Sequence, residues 1–101
     1  MPVGMLIQLP GATAEFYDSV MEHLDWDTIE RPQGFISHYA GPTGDGWLVF
    51  DVWETQADFE RFVAERLGAA LAAASGGTPP EIAPTFVPIH REDHARTTAR
   101  V

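Results

Sequence analysis

The stretch Trp47–Trp53 constrains the fold more than any other part of the chain. It reads WLVFDVW, so both alternating sets of side chains are apolar apart from Asp51. A strand that is apolar on both sides is typical of a sheet covered on both faces. We therefore expect one layer of structure above this strand and another below it.

The sequence before this strand predicts a β-hairpin. Gly34–Ala40 is also rich in aromatic and β-branched residues, and the residues between the two stretches read GPTGDG. Glycine, proline and aspartate in such a cluster favour a chain reversal, and residues with high β-propensity on either side favour paired strands. The two stretches are therefore predicted to pair in antiparallel fashion.

Four further elements surround the hairpin. They are a strand at Val3–Leu9, a helix after Thr13, a helix that begins after Thr55 and ends before Ser75, and a strand within Ile82–Ile89. Both threonines are suitable N-caps, and apolar residues follow each at helical spacing. Pro84 and Pro88 cannot donate to a ladder and place the last strand at an edge. The order β-α-β-β-α-β predicts an α+β, ferredoxin-like fold, with two helices on one face of a four-stranded antiparallel sheet.

The length of 101 residues is enough for one hydrophobic core. We expect one domain over residues 1–92 and a flexible tail over 93–101. A domain of this size buries only about 60 to 65% of the surface that its unfolded chain exposes. Because the helices cover one sheet face, we expect a second copy to cover the other, which would form a homodimeric α/β barrel.

Charge and composition exclude several classes of function. The net charge of −9 repels phosphate backbones and anionic lipids, so neither nucleic acid nor membrane is an expected partner. The absence of cysteine excludes disulfides, thiolate catalysis and cysteine-ligated metals. The first residues do not resemble a signal peptide, and the longest run of low polarity, Leu67–Ala74, is too short to span a bilayer. A cytoplasmic protein is expected.

Two motifs resemble a known family. Val49–Thr55, followed by Ala57-Asp58-Phe59, is similar to the strand-to-helix junction of antibiotic-biosynthesis-monooxygenase-like domains, which belong to the dimeric α/β-barrel superfamily. Gly34–His38 resembles the opening of the second strand in that family. The element order and the length match over nearly the whole chain. The resemblance implies the ferredoxin-like fold, a homodimer, and a pocket between the sheet and the helices of each protomer.

The resemblance also implies a small-molecule-binding protein. The implied enzyme is a cofactor-independent monooxygenase or isomerase that acts on aromatic or polyketide-like compounds, with no cofactor and no metal. The oxygenase would deprotonate a phenol or enol, and the electron-rich anion would then react with oxygen. The alternative is a non-catalytic dimer that binds a metabolite or serves as an accessory protein. Two departures from the family bear on this choice: Phe62 stands where many members have a histidine, which favours the alternative, and the chain has no asparagine, which haem-degrading members use.

Five residues are the candidates for the site. His38 and Asp51 are the candidate catalytic residues, and Tyr39, Trp53 and Phe35 are the candidate ligand-binding residues. With a five-residue hairpin loop, Tyr39 and Phe35 would share a face with Asp51, and His38 would point the other way. Each residue also has a structural interpretation, as a core histidine, a carboxylate bonded to a loop or an arginine, or packed aromatics. A closed cavity of at least about 300 Å³ with converging polar groups would favour ligand chemistry, and a solid interior would favour the alternative.

Overall fold

The computed structural model describes residues 2–78 and 80–95, and its elements follow the predicted order. The strands are β1 (Val3–Pro10), β2 (Phe35–Pro42), β3 (Gly46–Trp53) and β4 (Thr85–Pro88). The helices are α1 (Ala14–Leu24), α2 (Gln56–Phe62) and α3 (Gly68–Ala74). A π-helical turn, Val63–Leu67, joins α2 to α3 in one continuous helical segment.

The strands form one antiparallel sheet in the order β2-β3-β1-β4. The edge position of β4 is confirmed, and the strand is only four residues long. The buried core lies between this sheet and the helices, and its members are Met5, Ile7, Val20, Leu24, Trp53, Phe59, Phe62, Ala70 and Leu71. All helices therefore cover one sheet face, and the predicted α+β, ferredoxin-like fold is confirmed.

Both predicted helix starts are confirmed. The Thr13 hydroxyl accepts the backbone N–H of Phe16 at 3.1 Å, and the Thr55 hydroxyl accepts that of Asp58 at 3.1 Å. These bonds satisfy backbone donors that have no partner within the helix. The π-helical turn is a finding that the apolar spacing did not predict, because that spacing fits a continuous α-helix as well.

A β-bulge sets which side chains of β2 face the helices. Phe35 pairs with Trp53, but Ser37 pairs with Val52, so Ile36 is an extra residue on one strand. Beyond the bulge the faces are exchanged, because a shift of one residue turns every later side chain to the other side. His38 therefore lies directly opposite Asp51.

The second face of the sheet is uncovered in the single chain. The registers place Tyr39, Phe50 and Leu6 side by side across three strands, and the rings of Tyr39 and Phe50 stack at 6.4 Å. Tyr39 is 57% exposed, and Val87 on β4 is 53% exposed. This face thus carries apolar side chains that the helices do not reach.

The predicted tail is only partly described. Residues 91–95 have no regular secondary structure, and residues 96–101 lie outside the described part of the chain. Within the described residues, none of the helices has the length and apolar character needed to cross a membrane.

Candidate functional site

A cavity of about 80 Å³ lies between the sheet and the helices. Its wall is almost entirely apolar, and the aromatic residues in it include Trp26, Phe35, Trp47, Trp53 and Phe62. Planar side chains of this kind favour a flat apolar ligand. The volume is below the roughly 300 Å³ at which ligand pockets begin, so a bicyclic compound would enter only if part of the wall moves outward.

Polar side chains converge on one side of this cavity. The Tyr17 hydroxyl lies 2.5 Å from His38 Nε2, and His38 Nδ1 lies 2.6 Å from Asp51 Oδ1. The second carboxylate oxygen of Asp51 accepts the indole N–H of Trp53 at 3.1 Å. We call Tyr17, His38 and Asp51 the polar series; helix α1 supplies its first member, and β2 and β3 supply the others.

The partners of His38 define its tautomer. An ionised carboxylate can only accept hydrogen bonds, so Nδ1 carries the proton that is donated to Asp51. Nε2 is then the acceptor, and the Tyr17 hydroxyl donates to it. The side chains of His38 and Asp51 are 21% and 8% exposed, so most of this arrangement is screened from water. The imidazole is held in the orientation in which Nε2 can take up a proton.

The environment of Tyr17 keeps its hydroxyl protonated. Burial, followed by the negative charge of Asp51, raises the pKa of the Tyr17 phenol above its usual value of 10.0. Asp18 and Asp27 add smaller contributions in the same direction. At neutral pH the phenol therefore remains a hydrogen-bond donor to His38.

The structure brings four of the five sequence-predicted residues to the cavity. His38, Asp51, Trp53 and Phe35 line it, and the rings of Phe35 and Trp53 meet edge to face at 5.6 Å. The prediction that Tyr39 shares the face of Asp51, while His38 points away, is wrong. Pro42 pairs with Trp47, so the loop has four residues, 43–46, and not the five on which the prediction depended. The bulge at Ile36 absorbs the shift before Phe35, and Tyr39 lies on the uncovered sheet face.

Three residues of the site were missed in the sequence. Tyr17 lies in the apolar stripe of α1, where a tyrosine has the same spacing as a core residue. Trp26 lies in the turn after α1 and packs against Phe35 and Phe62, with ring centroids 5.2 and 6.1 Å away. Trp47 tilts against Tyr17 at 5.2 Å. The only available signal for Tyr17 was its hydroxyl, a polar group that needs a partner when its helix face is buried.

The site offers no ready cluster of metal ligands. Over residues 2–78 and 80–95, no three histidine, aspartate or glutamate side chains come close enough to hold one ion. The polar side-chain groups in the cavity wall are those of the polar series and the indoles of Trp26, Trp47 and Trp53.

Comparison with solved structures identifies the fold. SnoaB, a cofactor-independent oxygenase from Streptomyces nogalater, superposes with a TM-score of 0.65 and 16% identity, over 90% of this chain and 95% of that one. A monooxygenase from the gene ActVA-Orf6 of Streptomyces coelicolor, solved with the ligand nanaomycin D, superposes with a TM-score of 0.60 and 17% identity, over 94% of this chain and 92% of that one. A protein of unknown function from Nitrosomonas europaea superposes with a TM-score of 0.58 and 18% identity, over 93% of this chain and 96% of that one.

The chain thus has the fold of the antibiotic-biosynthesis-monooxygenase-like domains, as its sequence motifs indicated. No protein-family model matches it, and no curated protein is similar to it in sequence. At identities of 16 to 18% the likeness establishes the fold, whereas the reaction has to be argued from the site.

Proposed function

We propose that this protein is a small-molecule enzyme of the cofactor-independent monooxygenase kind, which acts on a planar phenol or enol. The observation that carries the proposal is the polar series at the wall of an otherwise apolar cavity. A histidine oriented by a carboxylate is a common general base, and such a base contributes about 10² to 10⁴-fold to a rate. Two proteins with this fold, SnoaB and the ActVA-Orf6 product, are an oxygenase and a monooxygenase, which supports the same kind of reaction.

In the proposed mechanism the substrate hydroxyl approaches the Tyr17 oxygen. Tyr17 passes its own proton to His38 Nε2 as it receives the proton of the substrate. Asp51 stabilises the imidazolium that forms, because its carboxylate oxygen lies 2.6 Å from Nδ1. The raised pKa of Tyr17 suits this role, since a phenol that stays protonated can relay a proton without becoming a permanent anion.

The substrate anion then supplies the electrons for oxygen. One oxygen atom becomes a carbonyl oxygen on a substrate carbon. The substrate gives up two hydrogens, one from that carbon and one from its hydroxyl, and these leave with the other oxygen atom as water. The substrate supplies two electrons for the inserted oxygen atom and two for the atom that becomes water. No separate reductant is therefore required. The residues hold the anion and take up its proton, so the wall needs no redox group.

A non-catalytic binding protein is the second candidate, and the cavity volume favours it. About 80 Å³ is small for an aromatic substrate, and Phe62 fills the place where many related domains have a histidine.

The π-helical turn offers a way to enlarge the cavity. Leu67 within this turn lines the cavity, and π-helical turns frequently occur at functional sites. An outward movement of this turn would enlarge the cavity without breaking the sheet.

Oxygen consumption tests the choice between the two candidates. The protein is incubated with a panel of hydroxylated aromatics, and oxygen uptake is followed with an electrode in the presence and absence of a metal chelator. We expect uptake with at least one electron-rich phenol, unaffected by the chelator, with one oxygen molecule consumed per product. Ligand binding without uptake for every member of the panel would instead favour the non-catalytic protein.

We also propose that the uncovered sheet face joins two copies of the chain into a dimer. Tyr39, Phe50 and Leu6 form an apolar row across that face, and the helices leave it open. Phe50→Asp would introduce a charge in the middle of the row, so we expect sedimentation equilibrium to give a dimer for the wild type and a monomer for the variant. A monomeric wild type at micromolar concentration would contradict the proposal.

A further inference from the structure

One polar atom of the cavity wall has no role in the polar series. The indole nitrogen of Trp47 is buried and, within the described part of the chain, has no hydrogen-bond partner. Indole N–H can only donate, so it requires an acceptor that the described residues do not supply. Leaving such a donor buried and unpaired costs free energy, and each instance in a native structure calls for an explanation.

The position of Trp47 indicates what the acceptor is. Trp47 is the second residue of β3, lines the cavity, and leans on the ring of Tyr17 with centroids 5.2 Å apart and planes 31° apart. The unpaired donor thus belongs to the ring next to the phenol that begins the polar series. A ligand whose hydroxyl meets Tyr17 would have its neighbouring atoms beside Trp47.

We infer that the Trp47 N–H is a binding group for an acceptor oxygen of the ligand. The inference rests on the proposed function and deepens it, because it defines the ligand as a hydroxylated aromatic or enol that also carries a carbonyl oxygen close to its hydroxyl. Trp47 would then also stabilise the anion that the ligand forms when it loses its proton. When the hydroxyl is deprotonated, negative charge spreads onto a conjugated carbonyl oxygen, and a hydrogen bond from Trp47 to that oxygen would stabilise it.

Because the rest of the cavity wall is almost entirely apolar, we expect this one donor to affect which ligand binds. A site that donates to a substrate oxygen discriminates strongly against an analogue lacking that oxygen, because the donor is then left unpaired in a dry environment. The acceptor-bearing ligand gains a hydrogen bond to this buried donor, and the analogue does not. The discrimination should therefore appear in the affinity ratio between two ligands of the same shape.

Two probes and two variants test the inference. The probes are a hydroxytetralone, with its carbonyl beside the hydroxyl, and the tetrahydronaphthol of the same skeleton that lacks the carbonyl. Dissociation constants are measured without oxygen, by calorimetry, for the wild type, Trp47→Phe and the control Trp26→Phe. Trp26 also lines the cavity, but its indole nitrogen is not among the buried unpartnered atoms.

We expect the wild type to bind the hydroxytetralone about tenfold more tightly than the tetrahydronaphthol, since one hydrogen bond is worth about that factor. Trp47→Phe should bring the ratio close to one, while Trp26→Phe should weaken both probes by similar factors. Trp47→Phe should also be at least as resistant to urea as the wild type, because it removes an unpaired donor.

An unchanged ratio in Trp47→Phe, or no binding of either probe to the wild type, would overturn the inference. The result is separable from the proposed function. Discrimination that depends on Trp47, without oxygen uptake, would leave this binding group in place and remove the oxygenase. Oxygen uptake without discrimination between the two probes would support the oxygenase and remove Trp47 as a binding group.

Discussion

His38→Ala is expected to lower kcat/KM for oxygen-consuming turnover by about 10² to 10⁴-fold, the usual contribution of a general base. The imidazole hydrogen-bonds to both Tyr17 and Asp51, so its removal separates the phenol from the carboxylate. The substrate proton then loses the acceptor that His38 provides at hydrogen-bond distance from Tyr17. The measurement is initial oxygen uptake at several concentrations of the best substrate in the panel.

A matched histidine provides the control for this experiment. His23 lies in the last turn of α1 and is exposed, so His23→Ala should retain wild-type turnover. Added imidazole should restore part of the activity of His38→Ala, because the truncation leaves room for a small base next to Tyr17. Turnover of His38→Ala within threefold of the wild type would remove His38 from the mechanism.

Asp51→Ala is expected to lower the free energy of unfolding by about 2 to 5 kcal/mol, because it leaves one buried donor and one part-buried donor unpaired. Asp51 is 5% exposed, and its two oxygens accept one hydrogen bond from His38 and one from Trp53. Trp53 is completely buried, so no solvent can take the place of the carboxylate at its indole N–H. Urea unfolding followed by tryptophan fluorescence, at one fixed protein concentration, measures the loss.

The control is an aspartate of the exposed hairpin loop. Asp45→Ala removes a carboxylate with only a long contact to Thr43, at 3.4 Å, and should change the unfolding free energy by less than about 0.5 kcal/mol. The unfolding free energy of Asp51→Asn should lie between those of Asp51→Ala and the wild type, since the amide oxygen can accept one of the two hydrogen bonds. Equal stability of Asp51→Ala and the wild type would show that the hydrogen bonds at Asp51 make no net contribution to the free energy of unfolding.

The fold was predictable because several local signals agreed. The N-caps at Thr13 and Thr55, the turn residues before β3 and the two-sided apolar pattern of β3 all support the same order of elements. The prolines near β4 correctly indicated an edge. Signals of this kind depend only on neighbouring residues, and neighbouring residues are what a single sequence displays.

The site was less predictable because it depends on pairing across the sheet. The bulge at Ile36 has no turn residue or glycine to mark it, yet it exchanges His38 and Tyr39 between the two faces. The contact of Tyr17 with His38 joins residues 21 positions apart in sequence, and nothing in the pattern of α1 distinguishes this tyrosine from a core residue. His38 and Asp51 were recognised individually as anomalies, but not as partners.

The same register has a consequence for the proposed chemistry. Because the bulge turns His38 inward, the base lies on the helix-covered face, and the apolar row of Tyr39, Phe50 and Leu6 lies on the other. The proposed dimer interface and the proposed reaction site therefore occupy opposite faces of one sheet. Phe50→Asp should separate the copies without touching the polar series.

If the polar series takes up the proton of a bound phenol, the absorption spectrum of the bound ligand should be that of the phenolate. The hydroxytetralone is bound in the absence of oxygen at a pH one to two units below the pKa of the free phenol, and its difference spectrum is recorded with the wild type and with His38→Ala. We expect the spectrum of the phenolate in the wild type and that of the neutral phenol in the variant. A neutral phenol spectrum in the fully bound wild type would show that the polar series does not take up the proton.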